Sequence, residues 1–119
     1  TSLPASNVVD ALRSAITPHL HEFHLNAERA AEICGINKRT LARRLKRRGT
    51  SVSKEINSMR RQRASQLLAE TDKSVGAVAQ AVGYAEPAVF SRAFRRWTGM
   101  TPSHYRSKQR ARRDRETVD

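Results

Sequence analysis

Cysteine is almost missing from this chain. Cys34 stands alone among 119 residues, so no intrachain disulfide can form, which suits a reducing compartment. It lies in the apolar run AAEICGI and reads as a small buried hydrophobe rather than a reactive thiol. Aromatic residues are scarce as well: Phe23, Phe90, Phe94, Tyr84, Tyr105 and Trp97. The core must therefore come mostly from Leu, Ile, Val and Ala. No apolar run approaches the ~18 residues of a membrane span, and no secretory signal peptide is visible. Alternating strand patterns are missing too, which leaves an all-α chain. Catalytic signatures are equally absent: no glycine-rich phosphate loop, no nucleophile elbow, no HExxH. The histidine cluster HLHEFH puts His21 and His24 at i, i+3 but sends His19 to another side of a helix. The expectation is a protein that is not an enzyme and holds neither metal nor cofactor.

Acidic residues are the other shortage. Eleven acids face 23 Lys and Arg, for a formal net charge of +12. Such an excess favours nucleic acid, acidic protein or anionic lipid as partner, and its placement narrows the choice. From Lys38 to Arg63 there are eleven bases and one acid, Glu55, whereas residues 1–36 hold four acids and two bases. A localised basic zone resembles a binding face more than a solubility device.

Prolines at 4, 18, 87 and 102 and glycines at 35, 49, 76, 83 and 99 punctuate a helical pattern. Ser6 or Asn7 is expected to cap a first helix with Val9, Leu12, Ile16, Leu20 and Phe23 on one face, kinked or restarted at Thr17–Pro18. Asn26 caps AERAAEIC, which Gly35 stops. Asn37 caps KRTLARRLKRR, which Gly49 stops. Ser51 or Ser53 opens a long helix to about Glu70, and Ser74 caps VGAVAQAV, stopped by Gly83. Pro87 then opens PAVFSRAFRRWT, and Pro102 opens a last helix through Tyr105. The tail SKQRARRDRETVD has no apolar face and is expected to be frayed or disordered.

Two segments repeat at about 49 residues. Ala31 and Ala79 each stand four residues before a glycine, Gly35 and Gly83. Each glycine is followed by an apolar residue, Ile36 or Tyr84. A helix follows with apolar residues at i and i+4, Leu41 and Leu45 or Phe90 and Phe94, and an arginine between them, Arg43 or Arg92. One copy suits any helical hairpin. Two copies, each with a basic second helix, have the anatomy of helix-turn-helix units.

The run ASQLLAETDKSVGAVAQAVGYAEPAVFSRAFRRWTGMTPSHYR resembles the signature segment of AraC/XylS-type transcription regulators. TLARRLKRRGTS and MRRQRASQLL resemble that family's first unit. The resemblance covers Ala27 to Arg106. It implies two helix-turn-helix subdomains joined by a long linker helix, about seven helices in all, that place two recognition helices in successive major grooves. The expected organisation is an N-terminal helical extension over 1–25 and a double helix-turn-helix domain over 26–106. Within that domain 26–50 form the first unit, 51–70 the linker helix, and 74–106 the second unit with its closing helix. A charged tail follows over 107–119.

With Leu41 and Leu45 inward, Arg39, Ala42, Arg43 and Lys46 face outward at i, i+3, i+4 and i+7. Arg39 and Arg43 are the main candidates for base contacts, since a guanidinium donates two bonds to guanine. Each would otherwise hold a phosphate or belong to a solvated face. In the second unit Ser91 and Arg92 are candidate readers, while Glu86, Pro87 and Ala88 depart from polar readers, so this helix is expected to add more affinity than specificity. Candidate phosphate clamps are Asn37, Lys38, Thr40, Arg44, Arg47, Ser51, Arg95, Arg96, Thr101, Ser103 and His104. Arg60, Arg61 and Arg63 divide around the linker helix, so some must face away from DNA or pair with Glu55 or Glu70. Trp97 and Tyr105 read as core.

The leading expectation is sequence-specific binding of double-stranded DNA by the DNA-binding module of a bacterial transcription regulator, in the cytoplasm at the nucleoid. The alternative is a nonspecific basic nucleic-acid-binding protein. A protein-interaction domain docking through residues 7–23 is a further option. Starting at Thr1, the chain reads as a fragment or processed form. An N-terminal sensory or dimerisation domain is the expected additional partner, with RNA polymerase as a further candidate and no membrane.

Overall fold

The computed structural model describes residues 7–117 and the side chains of residues 7–116. Seven α-helices follow one another there: α1 Val8–Ile16, α2 Ala27–Cys34, α3 Lys38–Arg47, α4 Val52–Glu70, α5 Val75–Ala81, α6 Pro87–Thr98 and α7 Pro102–Thr117. A 3-10 turn, Thr17–His19, follows α1. Ser6, the alternative cap of α1, lies outside the described residues. Asn7 takes the cap position without a side-chain hydrogen bond. The chain divides into two units within α4, between Arg60 and Arg61. No helix among the described residues is long and apolar enough to cross a membrane.

In the first unit α1 is built into the core. Val8, Leu12 and Ile16, spaced i, i+4, i+8, are at most 1% exposed and share one apolar cluster with Ala30, Cys34, Leu41, Leu45, Val52 and Ile56. The helix does not restart at Pro18. Thr17 donates its hydroxyl to the Arg13 carbonyl at 2.6 Å, and the chain tightens into the 3-10 turn. The expected stripe breaks there: Leu20 remains buried, but Phe23 is 51% exposed. Arg60 is buried too. Its guanidinium donates to the Leu20 and Glu22 carbonyls at 3.4 and 2.9 Å and fixes the loop after α1.

Glu55 is the one acid of the basic zone, and it is buried. It accepts from Arg13 Nε at 2.6 Å and from the Thr50 hydroxyl, tying α4 to α1 and to the turn after α3. Burial pushes its carboxyl up, yet the hydrogen bonds of Thr50 and Arg13 together with the Arg13 charge hold it net below the ordinary value. Glu22 is held at about 2 by hydrogen bonds from Arg29 and His19. Both carboxyls bind protons less readily folded than unfolded. Their stabilisation is therefore complete above the ordinary value of 4.5 and is lost as pH falls toward the folded values. Wild type should lose urea resistance between pH 5 and pH 3, and Glu55→Gln should be less stable at pH 6 with a shallower pH dependence. A urea midpoint unchanged across that window would refute the account.

The second unit has its own core of Ala64, Leu67, Leu68, Val78, Ala79, Val82, Phe90 and Phe94. Tyr84, Trp97 and Tyr105 pack against it half-buried, as core aromatics. Phe94 meets the Tyr105 ring edge-on at 5.4 Å and the Trp97 ring at 6.4 Å.

The charged tail is helical: α7 continues unbroken to Thr117. It needs no apolar face because arginines at i, i+4 and i+7 use the unpaired carbonyls at the end of α4 instead. Arg106 donates to Leu68 O at 2.9 Å and Lys73 O at 2.6 Å, and Arg113 donates to Ala69 O at 2.8 Å. Between them, Arg110 reaches Thr71 O and the Asp72 carboxylate. Replacing Arg110 and Arg113 by Ala should cost the second unit about 1 kcal/mol and fray α7 beyond Arg106. Helical circular dichroism and amide exchange in residues 107–116 would read this; unchanged protection would contradict it.

Candidate nucleic-acid interface

The repeat in the sequence is a repeat in space. Gly35 and Gly83 both have positive φ, 66° and 86°, which a side chain would strain. Across each glycine the same two bonds close the preceding helix. Gly35 N donates to Glu32 O and Ile36 N to Ala31 O; Gly83 N donates to Gln80 O and Tyr84 N to Ala79 O, all within 3.1 Å. Ala31 and Ala79 are buried, as the close crossing of the next helix requires. Leu41, Leu45, Phe90 and Phe94 are each 0% exposed and pin the second helices, α3 and α6, by one side.

That pinning decides what α3 presents. Arg39, Ala42, Arg43 and Lys46 are all exposed, as the arc requires. Four acids of this unit are in ion pairs: Glu55 with Arg13, Glu22 and Glu32 with Arg29, and Glu28 with Lys38 at the start of α3, at 3.5 Å. Among the described residues none ion-pairs with Arg39, Arg43, Lys46 or Arg47. The outward arc of Arg39, Arg43 and Lys46 keeps its charge: Glu55 is folded into the core, and the exposed Glu28 sits at the start of α3 against Lys38.

The expected clamps sort into two groups. Asn37, Ser51 and Thr101 are helix caps: Asn37 Oδ1 accepts from the Arg39 and Thr40 amides, Ser51 Oγ from Lys54 N, and Thr101 Oγ1 from His104 N. Their first duty is to start α3, α4 and α7. Lys38, Arg47, Arg95, Arg96, Ser103 and His104 are exposed, whereas Thr40 and Arg44 are half-buried. Ser103 and His104 line a shallow depression on α7 with Ser107 and Lys108. On α6, Arg92 is exposed and Ser91 half-buried. Sequence reasoning passed over Val89, which is 39% exposed on the same helix; its apolar neighbours Pro87 and Ala88 were the available signal.

The histidines do not gather into one cluster. His19 faces Glu22, His21 and His24 are exposed, and no group of three potential ligands gathers among the described residues. Cys34 is buried, and burial pushes its thiol up, away from the reactive thiolate.

Comparison with known proteins agrees with this geometry. A helix-turn-helix domain family matches residues 30–108. The MmsAB operon regulatory protein of Pseudomonas aeruginosa is 36% identical over 103 residues, which are 86% of this chain and 33% of that protein. The chain thus spans about a third of that relative's length. The DNA-binding domain of AdpA, a global transcriptional factor solved in complex with a target DNA, superposes with a TM-score of 0.76 at 34% identity, covering 95% of this chain and 98% of that one. An AraC-type transcriptional regulator from Chromobacterium violaceum superposes with a TM-score of 0.77 at 28% identity, covering 88% and 94%. Two helix-turn-helix units joined by one long helix, a family match over most of the chain and relatives that are transcription regulators rather than enzymes lead to one conclusion: this chain belongs to the AraC/XylS-type family of sequence-specific helix-turn-helix DNA-binding domains.

Proposed function

We propose that α3 is the helix that reads most of the sequence. Arg39 and Arg43 donate to guanine O6 and N7, Ala42 permits close approach, and Lys46 completes the arc. The observation that carries this reading is the zero exposure of Leu41 and Leu45, which aims four outward residues along one acid-free face. On α6, Arg92 and Ser91 supply a second and sparser set of polar contacts. Lys38, Thr40, Arg44, Arg47, Arg95, Arg96, Ser103 and His104 hold phosphates, joined by the capped helix starts at Asn37, Ser51 and Thr101. The relative solved with its target DNA supports double-stranded DNA as the ligand. The two recognition helices take successive major grooves. The chain acts as the DNA-binding module of a regulator whose further part senses a signal or dimerises, and RNA polymerase is a partner of that regulator; the match to only 33% of the MmsAB regulatory protein supports the first of these.

Selection from a random duplex pool at near-physiological salt tests the core of this reading, because salt sets the nonspecific background. A two-part motif with its parts about 10 bp apart is the expected result. A pool without any enriched motif would leave only nonspecific polyanion binding.

A further inference from the structure

Val89 and Phe23 are the large hydrophobic side chains most exposed among the described residues, and Val89 is not isolated. Ala85, Pro87 and Ala88 are exposed beside it, so the start of α6 presents an apolar surface interrupted only by Glu86. Single surface hydrophobes need no explanation, whereas a cluster of them does. The corresponding places on α3 hold Lys38, Arg39 and Thr40, all polar. The patch is also well anchored: a Cβ on Gly76 would stand 3.6 Å from the Pro87 ring, so Pro87 rests on α5.

Two features say what the patch faces. Arg92, Arg95 and Arg96 follow it along α6 and are exposed, which makes it continuous with the cationic surface already assigned to DNA. Glu86 lies within it, and a carboxylate is disfavoured against phosphate but tolerated on the groove floor, where cytosine offers an amine. In the major groove the one apolar group is the C5 methyl of thymine, and it is what side chains without donors or acceptors can read. We propose that Ala88 and Val89 read thymine methyl groups. The second recognition helix is then a specificity element of its own, working by apolar contact where α3 works by hydrogen bonds. This rests on α6 entering a major groove, as set out above.

The test begins from the selected duplex. Each thymine is replaced in turn by uracil, which deletes the methyl and leaves every hydrogen bond in place. Affinity should fall roughly three- to tenfold at one or two thymines. Val89→Ala should weaken the thymine duplex by a similar factor and reduce the uracil effect at one of those thymines to less than about twofold. Arg43→Ala should leave the uracil effect unchanged. Because Val89 is exposed, its substitution leaves the core intact, and circular dichroism checks that. Failure to select any motif overturns both this proposal and the reading it rests on. A motif whose thymines are all insensitive to uracil overturns this proposal alone. Equal weakening of both duplexes by Val89→Ala does the same, as does a Val89→Ala protein that binds DNA unchanged.

Discussion

Arg43→Ala is expected to erase preference at one base position, at a cost of about 1–3 kcal/mol in discrimination, while Arg47→Ala weakens all sequences alike. Both residues are exposed cations on α3, only one turn apart, so net charge cannot separate them. Position does. Arg43 lies between the buried Leu41 and Leu45, on the arc diametrically away from the core. Arg47 is the last residue of α3, where a helix entering the groove by its leading turns carries side chains back out toward the backbone. A base contact discriminates between sequences, whereas a phosphate contact shows in the salt dependence, where losing one lowers the slope by about 1. Binding isotherms on the selected duplex, on single-base variants and at several salt concentrations separate the two. Identical behaviour of the two variants would show that burial of the leucines does not sort readers from clamps.

How far such sorting was legible in the sequence differs from place to place. The two helix-turn-helix units could be read because their determinants are local. Gly35 and Gly83 mark the turns, Asn37 caps α3, and Leu41, Leu45, Phe90 and Phe94 repeat at one spacing. Those same residues set the outward arcs, so Arg39, Ala42, Arg43, Lys46 and Arg92 emerged exposed. Determinants distant in sequence stayed hidden. Glu55 reads as a lone acid in a basic stretch, and only its pairing with Arg13, 42 residues away, shows why it leaves the exposed cations of α3 unpaired with it. Arg60 likewise finds its carbonyl partners in a loop some forty residues back. In α7 the cause is different. Residues 107–119 carry no apolar face, which predicts fraying or disorder, but the helix docks by arginines on carbonyls at i, i+4 and i+7. Phe23 leaves the stripe for a third reason: the α-helical period does not extend past Pro18, where the backbone changes to a 3-10 turn.

The largest expected effect on the protein itself comes from Leu45→Ala, and it bears on how the two units are held. Leu45 is 0% exposed, and truncating such a residue costs about 2–5 kcal/mol. That is a large share of the stability of any small unit. The two cores share no residue: Leu45 belongs to the cluster with Val8, Leu12 and Ile56, while Phe90 and Phe94 belong to the other. The chain's one tryptophan, Trp97, packs in the second unit against Phe94. Leu45→Ala should therefore remove part of the helical signal at a lower temperature while the Trp97 emission transition keeps its midpoint. Phe94→Ala should do the converse, lowering the Trp97 transition by an amount corresponding to about 3–5 kcal/mol. DNA affinity should collapse in Leu45→Ala at temperatures where Trp97 still reports a folded second unit, because the residues proposed to read bases on α3 lose the support that aims them. If both signals shift together in either variant, α4 transmits the loss from one core to the other, and the two units fold as one cooperative body.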